Sequence, residues 1–125
     1  MMTDEEAKGM CDRIRKSAYA IHSYHGNGHL EKVYENALVH RLRKDGIKVG
    51  QQCPIHVYDE DGTLIGEYFV DILAEDELIV ELKAAKAVTD EHTAQIIGYL
   101  KSSRKAHGLL INFGSFRFQI RKFKL

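Results

Sequence analysis

The chain has 125 residues, of which 44% are hydrophobic and 29% charged, and its formal net charge at neutral pH is zero. This length and composition predict one soluble globular domain spanning residues 1–125. No apolar run approaches the ~20 residues of a membrane helix, and the acidic N-terminus is unlike a signal peptide. Cys11 and Cys53 are too few for a disulfide framework, so we expect reduced thiols and a cytoplasmic location.

Hydrophobic periodicity predicts three helices and five strands in the order ααβββαββ. A capping box of Thr3 and Glu6 starts the first helix, and a glycine-rich break at residues 25–28 separates it from the second. The elements are helices at 4–23 and 29–45, strands at 47–58, 63–74 and 78–83, a helix capped by Thr89 or Asp90 that ends near Ser103, and strands at 108–113 and 116–123.

Two of the predicted strands carry charged residues where a buried sheet would have none. Asp71 lies on the second strand, and Glu81 and Lys83 lie on the third, where residues two apart share a face. If residues 75–77 form a three-residue hairpin turn, Asp71 lies directly opposite Glu81. Charged groups are rarely buried without a partner, because removing them from water is costly. The three residues therefore predict either a binding site or a structural ion pair.

Two opposed carboxylates repel each other unless a cation lies between them. Mg²⁺ (or Mn²⁺) prefers carboxylate oxygens and keeps several waters, so Asp71 and Glu81 are candidate metal ligands. Such an ion polarises a phosphoryl oxygen and lowers the pKa of a bound water, while Lys83 orients that water or stabilises developing charge. The structural alternative is that Lys83 alone partly neutralises the two carboxylates.

The sequence also resembles a known superfamily. Asp71 followed by Glu81-Leu82-Lys83 at the end of an apolar strand is similar to the pattern of the PD-(D/E)XK phosphodiesterase superfamily. Residues 28–34, Gly-His-Leu-Glu-Lys-Val-Tyr, resemble the signature of the small GxxExxY protein family within that superfamily. Further matching segments follow in order along almost the whole chain, at 20–22, 30–38, 79–84, 94–95 with 99–100, and 108–114.

This resemblance implies an α/β (α+β) fold with a restriction-endonuclease-like αβββαβ core, in which helices flank a mixed central sheet. The first helix and the last strand are additions to that core. Asp71 and Glu81 are then metal ligands, and Lys83 is the catalytic lysine. Glu31 corresponds to an additional acid on the first core helix, and Gln95 to a helix-borne glutamine near the site. Position 70, often proline in the superfamily, is valine here.

Other residues near this set have a structural and a functional interpretation. From the residues alone, Glu31 is a first-turn acid favoured by the helix dipole, and Tyr34 is a core aromatic. We also interpret the packing of Tyr34 as placing its hydroxyl near the site. Gln95 and Tyr99 share one helix face. Gln95 is either a surface residue or a hydrogen-bond partner of the lysine, a water or the substrate, and Tyr99 is a candidate neighbour of the site.

The C-terminal segment is strongly basic. Residues 101–125 contain seven lysines and arginines and no acidic residue. Such a segment can contact a polyanion, and Arg117, Arg121 and Lys122 are its candidate nucleic-acid contacts. The structural alternative is a solvated edge strand, where lysine blocks aggregation.

Three functions are therefore in competition. The first is a nuclease that depends on Mg²⁺ or Mn²⁺ and acts on DNA or RNA. The second is a catalytically inactive nucleic-acid-binding module that uses the basic segment, with steep salt dependence. The third is a structural or protein-interaction module in which Lys83 pairs with the carboxylates. Because a domain of this size has little room for a recognition element, a homodimer or a second protein is the expected source of specificity.

Overall fold

A computed structural model describes residues 1–125 and shows the predicted order ααβββαββ. The predicted α+β fold is confirmed, with one helix before the αβββαβ core and one strand after it. The helices are α1 (Asp4–His25), α2 (Glu31–Lys44) and α3 (Asp90–Ser103), and the strands are β1 (Val49–Tyr58), β2 (Leu64–Ala74), β3 (Leu78–Lys83), β4 (His107–Asn112) and β5 (Gln119–Lys124).

Predicted boundaries agree with the structure to within two residues, except at the start of β5. That strand was predicted to begin at residue 116, but it begins at Gln119. The Ser115 hydroxyl donates a hydrogen bond to the Arg117 carbonyl at 2.6 Å, which holds residues 113–118 in a loop. Apolar alternation alone does not reveal such a local side-chain bond.

The five strands form one mixed sheet in the order β1-β2-β3-β4-β5. Neighbouring strands are antiparallel except β3 and β4, which are parallel and are connected by α3. β3 and β4 are central and almost entirely buried, which explains why both are continuous apolar runs in the sequence.

The helices cover both faces of the sheet. α1 and α2 pack on one face in the larger core cluster, which includes Val80 and Leu82. α3 packs on the other face in the smaller cluster, which includes Ile79. Because residues two apart on a strand share a face, Glu81 and Lys83 follow Ile79 towards α3. No helix in the chain has the length and apolar character needed to cross a membrane.

Capping boxes determine where two of the helices begin. The predicted box of Thr3 and Glu6 is present at the start of α1. At the start of α3, the Thr89 hydroxyl accepts a hydrogen bond from the backbone of His92, and the His92 side chain accepts one from the backbone of Thr89. α3 therefore starts seven residues after Lys83, close to the end of β3.

The pairing between β2 and β3 is short. It starts at the predicted turn of residues 75–77, with Ala74 opposite Leu78, and its last backbone pair is Ile72 opposite Val80. The register that the turn length predicted is therefore present. One residue beyond the last pair, the same register places the two strand carboxylates opposite each other.

β2 is not a regularly alternating strand at this point. Ile72 packs in the larger cluster and Val70 in the smaller one, although residues two apart in a regular strand share a face. Opposite Asp71, Gln52 of β1 has a φ of +53°, in the left-handed region. The regular alternation of faces along β2 therefore fails at Asp71.

Candidate active site

Asp71 and Glu81 lie opposite each other where the β2–β3 pairing ends. The backbone N–H of Asp71 donates to the Glu81 carboxylate at 2.9 Å, and the backbone N–H of Leu82 donates to the Asp71 carboxylate at 2.8 Å. Side-chain oxygens therefore take hydrogen bonds that backbone carbonyls would take in a continued sheet. The structure brings together the two carboxylates whose opposition the hairpin register predicted.

Glu81 is the more buried of the two carboxylates, with 4% of its surface exposed. Its pKa is raised to about 8, first by burial and then by the negative charge of Asp71. The hydrogen bond from the Asp71 backbone and the positive charge of Lys83 only partly offset these effects. The pair is therefore short of positive charge, which a bound cation would supply.

The Lys83 ammonium is held by α3 and not by the carboxylates. Its Nζ donates to Gln95 Oε1 at 2.8 Å. No ion pair within 4.0 Å connects Lys83 to Asp71 or Glu81. The structure thus shows the predicted contact between Gln95 and the lysine. Lys83 forms no direct ion pair with either carboxylate, and its charge acts on Glu81 only from a longer distance.

Glu31 is the first residue of α2 and is exposed to solvent. Its pKa is raised, first by partial burial of the carboxylate and then by the negative charge of Asp71, while Lys83 acts in the opposite direction. Glu31 therefore lies close enough to both residues to interact electrostatically with them. The structure thus places this predicted acid, exposed to solvent, within electrostatic range of Asp71 and Lys83.

Sequence reasoning missed a buried carboxylate next to this site. Glu35, one turn after the first acid of α2, is 2% exposed. It accepts hydrogen bonds from the side chains of Lys32 (2.8 Å), Gln51 (2.5 Å) and Gln52 (2.9 Å). The Gln52 amide also donates to the Asp71 carboxylate at 3.2 Å. The available signal was an acid one helical turn from a candidate site residue.

Tyr34 binds a loop and makes no hydrogen bond to the carboxylates. Its hydroxyl donates to the Gly26 carbonyl at 2.6 Å and accepts a hydrogen bond from the His29 backbone at 3.0 Å. Its ring stacks on Phe113 with the centroids 4.7 Å apart. The hydroxyl thus stabilises the loop before α2, and the ring lies in the buried core.

Tyr99 lies beside the carboxylates on the α3 side. It is 8% exposed, and its ring centroid is 5.3 Å from that of Tyr68. Its pKa is raised, first by burial and then by the charges of Glu81 and Asp71. The structure therefore places this candidate neighbour within electrostatic range of the pair.

The loop after β3 is held by a second loop, after β4. The buried Asn112 side chain accepts hydrogen bonds from the backbones of Ala85 and Gly114 and donates one to the Ala85 carbonyl. A Cβ atom on Gly114 would lie 2.3 Å from backbone atoms of Ala84 and Ala85. Only glycine allows this approach, which supports the segment between Lys83 and α3.

The basic residues near the C-terminus do not form one surface. Arg121 pairs with Leu110 of the smaller cluster, whereas Lys122 pairs with Leu109 of the larger cluster. Paired residues share a face of the sheet, so these two exposed side chains point to opposite faces. Arg117 is exposed in the loop before β5. Arg117, Arg121 and Lys122 were predicted together as nucleic-acid contacts, but Arg121 and Lys122 lie on opposite sides of the sheet.

The oxygen donors of this site fit a hard divalent cation. Mg²⁺ is commonly bound through one or two carboxylates together with waters and substrate phosphates, and Asp71 and Glu81 would supply the two carboxylates. No group of three or more His, Cys, Asp or Glu side chains is arranged as a metal site. Any ion here would therefore keep several coordination positions open to water and phosphate.

The fold and the site together define an α+β domain with opposed carboxylates and a lysine at one edge of the β2–β3 pairing. A family model described as the PD-(D/E)XK nuclease superfamily matches residues 8–123, and the chain belongs to this superfamily. No curated protein matches the sequence significantly.

One solved structure with a similar fold is described as "Crystal structure of SSO0001". The TM-score is 0.61 at 13% sequence identity, and the match covers 74% of this chain and 48% of that chain. The chain therefore spans about half the length of that structure. At this level of identity the likeness shows the fold alone.

Proposed function

We propose that this protein is a nuclease that depends on Mg²⁺ or Mn²⁺ and hydrolyses phosphodiester bonds in nucleic acid. The observation that carries the proposal is the opposed pair of Asp71 and Glu81, which is short of positive charge and has no ion pair with Lys83. Membership of a nuclease superfamily supports it. A purely structural ion pair is disfavoured because Lys83 is bound to Gln95 instead.

Asp71 and Glu81 would hold the ion, which when bound polarises a phosphoryl oxygen and acidifies a water. Lys83 uses one of its three N–H donors on Gln95, so two remain for a water or a phosphoryl oxygen. Charge that develops on that oxygen is stabilised by the ammonium. Gln95 orients the lysine from α3.

Glu31 is proposed as the additional acid of the site. It lies at the exposed start of α2, and the raised pKa of its carboxylate brings proton exchange closer to neutral pH. In this role its carboxyl oxygen exchanges a proton with solvent or with a departing group. Its exposure to solvent and its electrostatic interaction with Asp71 and Lys83 support this assignment.

We also infer that the chain belongs to the GxxExxY branch of the superfamily. The sequence of residues 28–34 supports this inference. Gly28 lies in the loop before α2, Tyr34 binds that loop through its hydroxyl, and the carboxylate of Glu31 interacts electrostatically with Asp71 and Lys83.

Calorimetric titration with Mg²⁺ and Mn²⁺ tests the proposal, together with cleavage assays on labelled single- and double-stranded DNA and RNA. The test variant carries Asp71→Asn and Glu81→Gln. The control carries Asp12→Asn and Glu60→Gln, which remove the same charges from exposed positions. We expect the first variant to lose metal binding and cleavage, and the control to retain both.

Other outcomes separate the alternatives. Binding of nucleic acid without metal, with steep salt dependence and no cleavage, would favour the inactive binding module. Metal binding without cleavage would point to a missing partner, either a second copy or another protein that supplies specificity. Equal cleavage by both double variants would refute the proposed site.

A cytoplasmic location also remains a prediction.

A further inference from the structure

We infer that Glu35 and Gln52 form a positioning relay for Asp71. In this relay the Gln52 amide binds Glu35 of α2 and Asp71 of β2 at the same time. The inference rests on the proposed function, in which Asp71 is a metal ligand. Neither Glu35 nor Gln52 touches the reacting atoms in that proposal, so both act through the carboxylate that they hold.

The hydrogen bonds of Gln52 define the relay. Its Nε2 donates to Glu35 Oε1 at 2.9 Å and to Asp71 Oδ1 at 3.2 Å. A side-chain amide nitrogen has two hydrogens, so it can serve both carboxylates. A flipped amide would present its oxygen to two negative groups, so the orientation follows from the chemistry of its neighbours.

The backbone of β1 adapts to this contact. Gln51 pairs with Ile72 and Cys53 pairs with Val70, but the intervening pair of Gln52 and Asp71 is missing from the backbone ladder. Gln52 has a φ of +53°, which is uncommon for a residue other than glycine and is found preferentially at functional sites. β1 and β2 therefore lack one backbone pair at the position where the Gln52 side chain hydrogen-bonds to Asp71.

Glu35 is a firm anchor for the relay. It is 2% exposed, and its second oxygen accepts hydrogen bonds from Gln51 and Lys32. A buried carboxylate that lost these donors would be costly, so the side chain has little freedom. Because Glu35 follows Glu31 by one turn, the same anchor fixes the part of α2 that carries the additional acid.

Asp71 is thereby held at both carboxylate oxygens. Oδ1 accepts from the Gln52 amide and Oδ2 accepts from the backbone N–H of Leu82. Without the amide, only the Leu82 contact would remain, and the carboxylate could rotate about it. Hydrogen bonds to ligating groups typically change metal affinity by about 10–100-fold, because they orient the ligand before the metal arrives.

Gln52→Leu tests the relay, with Gln51→Leu as the matched control. Both variants exchange glutamine for leucine and remove one donor from Glu35, but only Gln52 contacts Asp71. We expect Gln52→Leu to weaken Mn²⁺ binding, measured by calorimetry, about 10-fold, and Gln51→Leu to change it less than about twofold. With saturating Mn²⁺, kcat should fall in Gln52→Leu while KM for nucleic acid stays constant.

A double-mutant cycle separates the relay from a general loss of stability. Glu35→Gln replaces one acceptor oxygen by a donor that faces the Gln52 amide, so it should also weaken Mn²⁺ binding. In the Gln52→Leu background the relay is already broken, and Glu35→Gln should cause no further loss of affinity. If Gln52→Leu does not fold, Gln52→Asn replaces it, because asparagine tolerates the left-handed region and is one methylene shorter.

Equal Mn²⁺ affinities in Gln52→Leu and Gln51→Leu would overturn the relay. If the unmodified protein binds no metal ion, the proposed function fails, and crystal structures of the metal-free variants test the relay instead. Reorientation of the Asp71 side chain in Gln52→Leu but not in Gln51→Leu would support it. An unchanged Asp71 in both variants would refute it.

Discussion

The carboxylate pair and the C-terminal strand are both charged regions, but the fold brings the charges together in the first and separates them in the second. Asp71 and Glu81 are ten residues apart and converge, because an antiparallel pairing places them face to face. Arg121 and Lys122 are adjacent in the chain and diverge, because neighbouring residues on a strand point to opposite faces. Charge density along a sequence therefore becomes charge density in space only where the strand register allows it.

The two regions also differ in how their charge is balanced. Lys124 of β5 forms an ion pair with Asp4 of α1, and this contact lowers the pKa of that exposed carboxyl. The Asp71 and Glu81 carboxylates have no such partner, and the pKa of Glu81 is raised. Part of the basic charge is thus neutralised within the molecule, whereas the acidic pair remains available to a cation.

The largest expected effect comes from substitution of Lys83, on the same strand as Glu81. We expect Lys83→Met to reduce the cleavage rate about 10²–10³-fold, because it removes a preorganised donor from the developing charge. Lys86→Met is the matched control, since Lys86 is exposed three residues further along. A single-turnover cleavage assay measures both, and equal rates for the two variants would remove Lys83 from the proposed mechanism.

The pH dependence of stability tests whether the charge of the Asp71 and Glu81 pair is unbalanced in the folded protein. The pKa of Glu81 is raised from 4.5 to about 8 in the folded state, so the folded protein holds this proton more tightly than the unfolded chain. The stabilising contribution of protonated Glu81 is therefore complete below about pH 4.5 and is lost as the pH rises through about 8.

Glu81→Gln should remove this loss. Relative to the unmodified protein without metal, its free energy of unfolding should rise by a few kcal/mol between about pH 5 and pH 9. Urea denaturation across this range measures the difference. Glu60→Gln, an exposed change in the β1–β2 turn, should show the same pH dependence of the free energy of unfolding as the unmodified protein. If Glu81→Gln has the same pH dependence of unfolding as the unmodified protein, the negative charge of the Asp71 and Glu81 pair is already balanced within the protein.

Two glycines, Gly114 in the loop after β4 and Gly98 in α3, differ in how closely other atoms pack against them. Gly114→Ala would place a Cβ atom 2.3 Å from the backbone of Ala84 and Ala85, so we expect it to lower the free energy of unfolding by about 2 kcal/mol. Gly98→Ala, on the exposed side of α3 with open space around it, should raise it by about 0.5–1 kcal/mol. Thermal and urea unfolding measure both; a neutral Gly114→Ala would show that the two loops are not tightly packed.

The smallest effect is expected in the basic strand. Arg121 points to the face that carries Lys83 and α3, while Lys122 points to the face of α1. If nucleic acid approaches the site across the α3 face, Arg121→Ala should reduce the slope of log affinity against log salt by about 1, and Lys122→Ala should leave it unchanged. Fluorescence anisotropy in the Asp71→Asn background measures binding without cleavage. Equal reductions would show that both faces of β5 contact nucleic acid.

Local patterns were enough to predict much of this structure. The capping box of Thr3, the apolar run of β4 and the alternation of β5 each depend on neighbours in the chain, and all three elements are present. The opposition of Asp71 and Glu81 also followed from the sequence, because a three-residue turn sets the register of a short hairpin.

Other features depend on residues that are distant in the chain. Glu35 looks like an ordinary helix residue until α2 packs beside β1 and Gln51 and Gln52 reach it. The partner of Lys83 is decided by where α3 lies after its crossover, and the hydroxyl of Tyr34 is directed by the loop that folds over it.

The sequence by itself therefore determined the elements, their order and the pairing of the two carboxylates, since these follow from periodicity and turn length. Only the tertiary structure decided which charges are buried, which are compensated and which face each basic side chain occupies. Those outcomes depend on packing between elements, because burial and hydrogen-bond partners are properties of the assembled layers and not of any one segment.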